Sequence, residues 1–423
     1  DVLDTWFSSW LWPISVFNGF YSKEEVDYYY PTNDLVTAPE IMFFWVARMI
    51  IAGYEYRGEK PFKNVYYTGI VRDKQGRKMS KSLGNSPDPI ELMKQYGADG
   101  VRVGMLFSSP AGNDLLFEES LCEQGRNFSN KIWNALRLIK SWEPEEKQAP
   151  DSAVLAGNWM DHRLNQVIAE VEDYYSKFRI SDVLMSCYKF AWNDFCSWYL
   201  EAVKPNYGEQ IDVATYNRLV THFEAVLELL HPLMPFITEE IWHELRHRTE
   251  PKDSLVVAPW PKSEAFDEEQ IAGFQKATDI ITQVRNVRKQ NNIPNKTRLD
   301  LFIRNDEEQD SAFYPIIKKL AFVDSCERNV EMPGEAFTFV LSGAEYAIPF
   351  SEDVDVEGQI AKLKDELSYT EGFLKSVEKK LSNERFVNNA PEQVVEIEKK
   401  KQRDAESKIS LIREKLEGMG VKL

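Results

Sequence analysis

Nothing in this sequence is apolar for the ~20 residues a bilayer helix takes. The longest candidate, Ile41 to Ile51, is broken by Arg48, so no membrane span is expected. Cysteine is scarce as well: Cys122, Cys187, Cys196 and Cys326 are scattered and form no CxxC pair. That excludes a disulfide-stapled scaffold and a cysteine zinc site, and it fits reduced thiols in a cytoplasmic protein. There is no initiator Met, and Asp1-Val2-Leu3-Asp4 reads as the middle of a protein, so an excised fragment is expected. Basic charge is in deficit, with 51 Lys and Arg against 68 Asp and Glu, a net of −17. Taken whole, that weighs against nucleic acid as a partner. The distribution softens it: from Glu357 onward the chain carries 14 basic and 13 acidic residues, which leaves the rest at −18. A local basic face can serve an acidic protein, so whole-chain charge decides little.

What the chain does have is bulk. Its 423 residues, 43% of them apolar, exceed one core and predict two to four folded domains. Residues 1–75 read as α/β. Asp34-Leu35-Val36-Thr37 suits a buried strand, Pro39 opens a helical stretch from Glu40 to Ala52 that Gly53 closes, and Asn64 to Val71 is a second strand. Strand, helix, strand implies a parallel unit with its ligand site at the strands' C-terminal ends. A polar loop, 72–90, comes next. Asp88-Pro89 then makes an N-cap and first turn for a helix from Ile90 to Tyr96. From Glu119 to Arg248 the pattern is helical, with linkers near 143–151 and 205–208, as in an antiparallel bundle. Residues 262–352 mix a helix, Glu268 to Lys289, with strand-like runs such as Leu299 to Ile303. In the tail, Ile360, Leu363, Leu367, Thr370, Leu374, Val377 and Leu381 step by three and four. The step resumes after Asn388-Asn389-Ala390-Pro391 at Val395, Ala405, Ile409, Ile412, Leu416 and Met419, with Glu398 and Gln402 weakening it. Two such helices predict an antiparallel coiled-coil hairpin.

The loop Lys78-Met79-Ser80-Lys81-Ser82 carries the strongest chemical signal. Two ammonium groups and two hydroxyls between Gly76 and Gly84 suit a ligand whose negative charge grows as a reaction proceeds, such as departing pyrophosphate. By chemistry alone a solvated basic turn accounts for it equally well. A second pattern, His243-Glu244-Leu245-Arg246-His247, spells the H-E-x-x-H of zinc proteases, in which two histidines one turn apart hold metal and the glutamate acts as base. A zinc metalloprotease is therefore the alternative from another class, although no third ligand stands out. The aromatic run Phe190 to Leu200 reads as core rather than as platforms for bases.

Lys78 to Ser82 followed by Leu83-Gly84-Asn85 resembles the second signature of class I aminoacyl-tRNA synthetases. The valine–tRNA ligases among them are suggested by Asp1 to Ser9, Phe43 to Ile50, Tyr96-Gly97-Ala98-Asp99, Arg126-Asn127-Phe128, His231 to Glu240, and Leu381 to Val387 with Ala390-Pro391. These motifs run through essentially the whole chain in family order. The resemblance implies a multidomain, mainly α architecture. A partial α/β Rossmann-type catalytic domain would take residues 1–75, and the KMSKS loop and stem-contact region 76–118. A helical anticodon-binding bundle would take 119–261, a small α+β unit 262–353, and a coiled-coil tRNA-binding arm 354–423.

The implied activity is ATP-dependent activation of valine to valyl-adenylate and its transfer to tRNA(Val), with Mg2+ accompanying ATP and no metal held by the protein itself. Lys78, Ser80 and Lys81 would be catalytic. Gly69, Lys81 and Glu40 would meet ATP. Trp6, Ile41, Trp45 and Asp4 would line the valine pocket, where plain core packing is the bland alternative. Arg126, Lys379, Lys380, Arg385, Lys399, Lys400, Lys401 and Arg403 would meet tRNA; for the tail residues a solvated helix face is the alternative. The sequence departs from the family at Ala38 and Glu40 (usually Gly and Asp), Thr68 (often His) and Asn389 (often Lys). No His-x-Gly-His occurs among the five histidines. The family's first signature and its editing insertion precede the point where these residues begin. The chain alone is therefore expected not to activate valine, and in isolation it would be an RNA-binding module.

Overall fold

The computed structural model describes the chain except residues 1–4, 18–22, 110–112, 335, 351–355, 383–397 and scattered positions beyond 399. The chain is mainly helical and divides into two compact units, residues 1–149 with 160–266 and residues 150–159 with 267–423. Among the described residues no helix is long and apolar enough to cross a membrane.

In the first unit, α1 (Thr5–Ser15) and α2 (Lys23–Tyr29) precede β1 (Thr32–Thr37), which pairs in parallel with β2 (Phe62–Tyr67), Thr37 facing Tyr67. The connection is helical as expected, but it is not one α-helix. Pro39–Ile41 is a 3-10 turn, Met42–Val46 a π turn, and α3 runs Ala47–Arg57. Its end is Gly58 at φ 76°, not Gly53. Gly53 has another cause: a Cβ there would come within 2.7 Å of the Glu59 carbonyl and 2.9 Å of the Pro61 ring. The chain needs a glycine where its own return path crosses the helix, and a crossing leaves no mark on local periodicity. The expected strand from Asn64 to Val71 is also split. β2 stops at Tyr67, and Val71–Arg72 forms β3, parallel to β4 (Leu115–Leu116).

Between β3 and β4 lie α4 (Pro89–Tyr96) and α5 (Ala98–Phe107). Asp88 caps α4 as its sequence predicts, accepting the Ile90 N–H at 2.8 Å with Pro89 in the first turn. The long α6 (Glu119–Lys140) packs on α5 through glycines. A Cβ on Gly104 would meet the Cys122 backbone nitrogen at 2.7 Å, and one on Gly125 the Gly100 carbonyl at 2.5 Å. The helical region continues through α7 (Asp151–Ser176), which spans the boundary between the units, then α8 (Ile180–Lys189), a π segment (Phe190–Tyr199) and α9 (Leu200–Val203). It closes with α10 (Val213–Leu230) and α11 (Pro235–Leu245), while β5 (Pro144–Glu145) and β6 (Ile211–Asp212) clip the two linkers together in parallel. Phe128, Ile132, Leu136, Phe195, Tyr199, Phe223 and Leu227 are buried at its centre. The aromatic run is core as expected, with Trp192 and Trp198 half-buried.

In the second unit, α12 (Glu268–Gln290) begins where Asp267 accepts the Glu269 and Gln270 N–H groups. A four-stranded sheet comes after it in the order β8-β7-β10-β9, from β7 (Leu299–Arg304), β8 (Val323–Arg328), β9 (Ala336–Leu341) and β10 (Ala344–Pro349), with α13 (Tyr314–Ala321) between β7 and β8. β7 and β8 are parallel; the other pairs are antiparallel. Last comes α14 (Val356–Leu381). Its Leu367 shares a buried apolar cluster with Ile409, Ile412 and Leu416, flanked by Ile360, Leu363 and Leu374. Those are the periodic positions of both tail segments; Val395 and Met419 lie outside the described residues.

The packing of α5 on α6 gives a stability prediction. Gly125→Ala forces a methyl against the Gly100 carbonyl, and overpacking of this kind costs about 1–3 kcal/mol. Urea denaturation should show that loss, whereas Ala substituted for Gly372, where an added Cβ meets nothing, should not destabilise.

Candidate functional site

The parallel strands β1 and β2 end together, and the Thr68 N–H donates to the Thr37 carbonyl at 2.9 Å. Glu40 sits just beyond β1 and Gly69 just beyond β2, the crest where a parallel unit presents ligand sites. A Cβ on Gly69 would fall 2.1 Å from the Asn113 carbonyl. The close approach that this glycine permits is thus already made by the chain's own backbone.

From β3 the chain turns back on itself. Arg72 and Lys78 form an antiparallel bridge, the Asp73 N–H donates to the Arg77 carbonyl at 2.9 Å, and the Met79 N–H to Val71 at 3.1 Å. The reversal falls at Gly76, φ 76°, a conformation that costs a residue with a side chain. One buried carboxylate organises the rest of the loop. Asp73 Oδ1 accepts the N–H groups of Gln75 and Arg77 at 3.0 and 2.9 Å; Oδ2 accepts Arg77 Nε at 2.8 Å and Asn85 Nδ2 at 3.0 Å. Asn85 Oδ1 in turn accepts the Ser80 N–H at 2.9 Å. The hydrogen bond from Asn85, followed by that from Arg77, holds the Asp73 carboxyl well below the usual carboxylate range. Ser80 Oγ accepts the Leu83 N–H at 3.3 Å and lies 3.1 Å from Ser82 Oγ, and Lys81 opens a 3-10 turn, Lys81–Leu83.

Lys78 reaches across to Glu40, its ammonium donating to both carboxylate oxygens at 2.8 Å. Two residues 38 positions apart, each singled out in the sequence, are therefore partners. Both side chains remain about half exposed, so the pair contributes little to stability and separates at low cost. At the base of the hairpin Arg72 is ion-paired with Asp114, which also accepts the Ile70 N–H at 3.2 Å. The Arg72 guanidinium holds the Asp114 carboxyl below its ordinary pKa.

Of the four expected pocket residues, Asp4 lies outside the described residues. Trp6, on α1, carries the Arg48 guanidinium 3.0 Å above its ring, and α1 packs along the π turn and α3. Trp45, in the π turn, leans on the Val46, Met49 and Phe62 cluster, and Ile41, ending the 3-10 turn, is half-buried. Ile41 and Trp45, four residues apart, lie in different turns, one 3-10 and one π. Arg126 pairs with Glu123 at 3.1 Å and lies over the Tyr96 ring. In the tail, Lys379, Lys399 and Arg403 are exposed, while Lys380 and Lys401 flank the buried Glu398 at 3.7 and 2.8 Å; Arg385, Asn389 and Lys400 are outside the described residues. Sequence reasoning missed Asp73 and Asp114, and marked Glu398 only as a break in the tail's apolar steps. For Asp73 the one available signal was its place three residues before the Gly76 turn, an Asx-turn position.

The zinc reading fails on geometry. α11 ends at Leu245, and Arg246 is extended at φ −138°, so His247 does not fall one turn above His243. His243 is engaged by Glu239 at 3.0 Å and by the Arg248 carbonyl, and Glu244 is paired with Lys140. Among the described residues no group of His, Cys, Asp and Glu is arranged to hold a metal ion.

The Asp73 network predicts a measurable pH behaviour. Its folded pKa is depressed, so its contribution is present above the ordinary aspartate value of about 4 and fades as pH falls toward the folded value. Amide exchange at Gln75 and Arg77 should stay slow in the wild type down to about pH 4 and should accelerate at neutral pH in Asp73→Asn. Equal exchange rates at neutral pH would show that the carboxylate does not hold the turn.

Three family profiles match in succession. They are "tRNA synthetases class I (I, L, M and V)" over residues 1–118, "Anticodon-binding domain of tRNA ligase" over 157–303 and "Valyl tRNA synthetase tRNA binding arm" over 355–420. Relatives named valine–tRNA ligase include those of Christiangramia forsetii, 58% identical over 99% of this chain and 48% of that protein, and of Parabacteroides distasonis, 54% over 98% and 48%. That of Geobacillus kaustophilus is 41% identical over 98% of this chain and 49% of its own. The chain spans about half the length of the curated relatives it matches. With identity at this level sustained from end to end, and the three profiles in order along it, the chain belongs to the valine–tRNA ligase family of class I tRNA synthetases.

Proposed function

We propose that this chain supplies the KMSKS half of the amino-acid activation site, together with the tRNA-binding bundle and arm, of an enzyme that joins valine to tRNA(Val). The observation that carries the reading is the Glu40–Lys78 pair at the crest of β1 and β2, on a hairpin tethered by Asp73 and Asn85. In this reading the pair is a resting contact. When ATP binds, Lys78 exchanges a carboxylate oxygen for a phosphate oxygen, and Glu40 turns to the ribose hydroxyls. Glutamate, one methylene longer than the family's usual aspartate, can meet both partners. Ammonium groups and hydroxyls suit a triphosphate, and Mg2+ would arrive with it.

The valine carboxylate then attacks the α-phosphorus, the bond to the β-phosphate oxygen breaks, and pyrophosphate leaves. Lys78, Ser80 and Lys81 counter the charge that builds on the leaving oxygens. Trp6, Ile41 and Trp45 wall the valine side chain, and Asp4 takes its ammonium. A hydroxyl of the tRNA's 3′-terminal ribose next attacks the carbonyl and releases AMP. In the finer domain picture, residues 1–75 form part of a Rossmann catalytic domain and 76–118 carry the loop and meet the stem. Residues 119–261 hold the anticodon arm, 262–353 form a small α+β unit, and the coiled-coil arm 354–423 lies against tRNA. Arg126 and the tail cations Lys379, Lys380, Arg385, Lys399, Lys400, Lys401 and Arg403 face phosphates. A cytoplasmic location goes with this work.

Two experiments test the reading. In an enzyme carrying this chain together with the half it lacks relative to its relatives, Lys81→Ala should slow valine-dependent ATP–pyrophosphate exchange by roughly 100- to 1,000-fold, as for loss of one donor to developing charge, with little change in valine KM. Equal losses in binding and rate would make the lysine a ground-state anchor. The chain alone, having no His-x-Gly-His, should show no exchange. Separately, deleting residues 357–423 should weaken tRNA binding and flatten its salt dependence, by roughly 0.7–0.9 in the log–log slope for each phosphate that the arm neutralises. An unchanged slope would take the arm away from tRNA.

A further inference from the structure

The arm exposes two large aromatic rings that its apolar seam does not use. Tyr369 is 77% and Phe373 41% exposed, while Leu367, Thr370 and Val377 on the same helix are buried. At 100° per residue, Tyr369 and Phe373 stand one turn apart on a flank rotated about 100° from the seam. Ser376 and Lys380 continue that flank toward the end of α14, and both are exposed. Gly372 lies beside them on the helix, and a Cβ there would meet nothing. A hairpin that needed only to stay soluble would carry lysine or glutamate at these positions, as α14 does at Lys364, Glu366, Lys375 and Glu378. A tyrosine and a phenylalanine left in water call for a ligand with a flat apolar face.

We propose that Tyr369 and Phe373 form a stacking platform for exposed nucleobases of the RNA that the arm binds, with Lys375, Lys379 and Lys380 meeting the adjoining phosphates. The inference rests on the tRNA reading of the arm and adds the residues that touch bases rather than backbone. Nucleic acid is the occupant that fits the setting. The chain is strongly acidic, yet its segment from 357 onward carries net +1, and aromatic rings interleaved with lysines are how proteins grip unpaired bases without reading their edges. Lysine contacts supply a salt-dependent contribution; stacking supplies one that salt does not screen.

That difference is the test. Binding of a valine-accepting tRNA transcript to the full chain is titrated against salt for Tyr369→Ala, Phe373→Ala, Tyr369→Phe and Lys379→Ala. Each aromatic-to-Ala change should raise Kd about tenfold, toward the low end of what base–aromatic stacking contributes, and leave the log–log slope unchanged. Tyr369→Phe should bind as wild type, because the ring and not the hydroxyl is used. Lys379→Ala should lower the slope by roughly 0.7–0.9. The proposal is overturned if both Ala variants bind tRNA as wild type, or if their slope falls with their affinity, which would mean a distorted arm. Self-association of the chain that Tyr369→Ala abolishes would assign the rings to a second copy instead. If removing residues 357–423 leaves tRNA binding untouched, the arm reading itself fails and takes the platform with it. Intact dependence on the arm with indifferent aromatic variants sinks the platform alone.

Discussion

Crowding five cations into ten residues is the problem that the hairpin after β3 must solve. Arg72, Lys74, Arg77, Lys78 and Lys81 would repel one another in any compact turn unless acids were brought among them. The structure brings three. Asp114 takes Arg72, Asp73 takes Arg77, and Glu40 takes Lys78. They differ in kind. Asp73 is buried and fully committed, with two backbone N–H groups, a guanidinium and an amide on its oxygens. Glu40 is half exposed and holds only a lysine. The first fixes the shape of the turn; the second can be given up. That division lets the turn keep its path while the outer pair separates, because a surface ion pair worth no more than about 1 kcal/mol yields readily and a buried hydrogen-bonded carboxylate does not.

The sequence motifs outside the loop do a different job. Tyr96-Gly97-Ala98-Asp99 and His231 to Glu240 are far apart in the chain and meet in the fold. The buried Asp99 accepts the Phe236 and Ile237 N–H groups at the start of α11, at 3.4 and 2.7 Å, and Arg102 donates to the carbonyls of Pro232 and Leu233. Burial pushes the Asp99 carboxyl above its ordinary pKa even with those donors in place. Glu239 carries the chain onward by accepting the Leu255 N–H at 2.9 Å and pairing with His243. These stretches are joints of the first unit. The same packing explains why the zinc-like pattern arises: His243 serves Glu239, and the letters after it belong to the end of a helix.

Local patterns carried the fold where the cause was local. The Asp88 cap, the start of α12 at Asp267 and the tail's apolar steps could each be read from a few neighbouring residues, because capping and burial of one helix face are short-range effects. What stayed hidden depended on distant chain. Gly53 answers to Glu59 and Pro61, Gly69 to Asn113, and the break between β2 and β3 to pairing with Leu115 and Leu116. The π turns at Met42–Val46 and Phe190–Tyr199 leave no mark in spacing that a helix of 3.6 residues per turn would not also show. In the candidate site Lys78 and Glu40 were each legible but their pairing was not, and Asp114 was not legible at all, since Glu40 and Asp114 lie 38 and 42 positions from the Lys78 and Arg72 they hold.

The tail shows how an acidic protein can still present exposed basic residues on one segment. Glu398 occupies the seam, buried, where the sequence pattern weakens, and it is balanced by Lys401 beside it and Lys380 on the facing helix. The hydrogen bond from Lys401 keeps its carboxyl below the ordinary range, so at neutral pH it is an anion with two cations drawn against it. A buried charge is a poor source of stability and a good source of register, because slipping either helix by one turn would leave it unpaired. Lys379, Lys399 and Arg403 stand exposed, outside that seam.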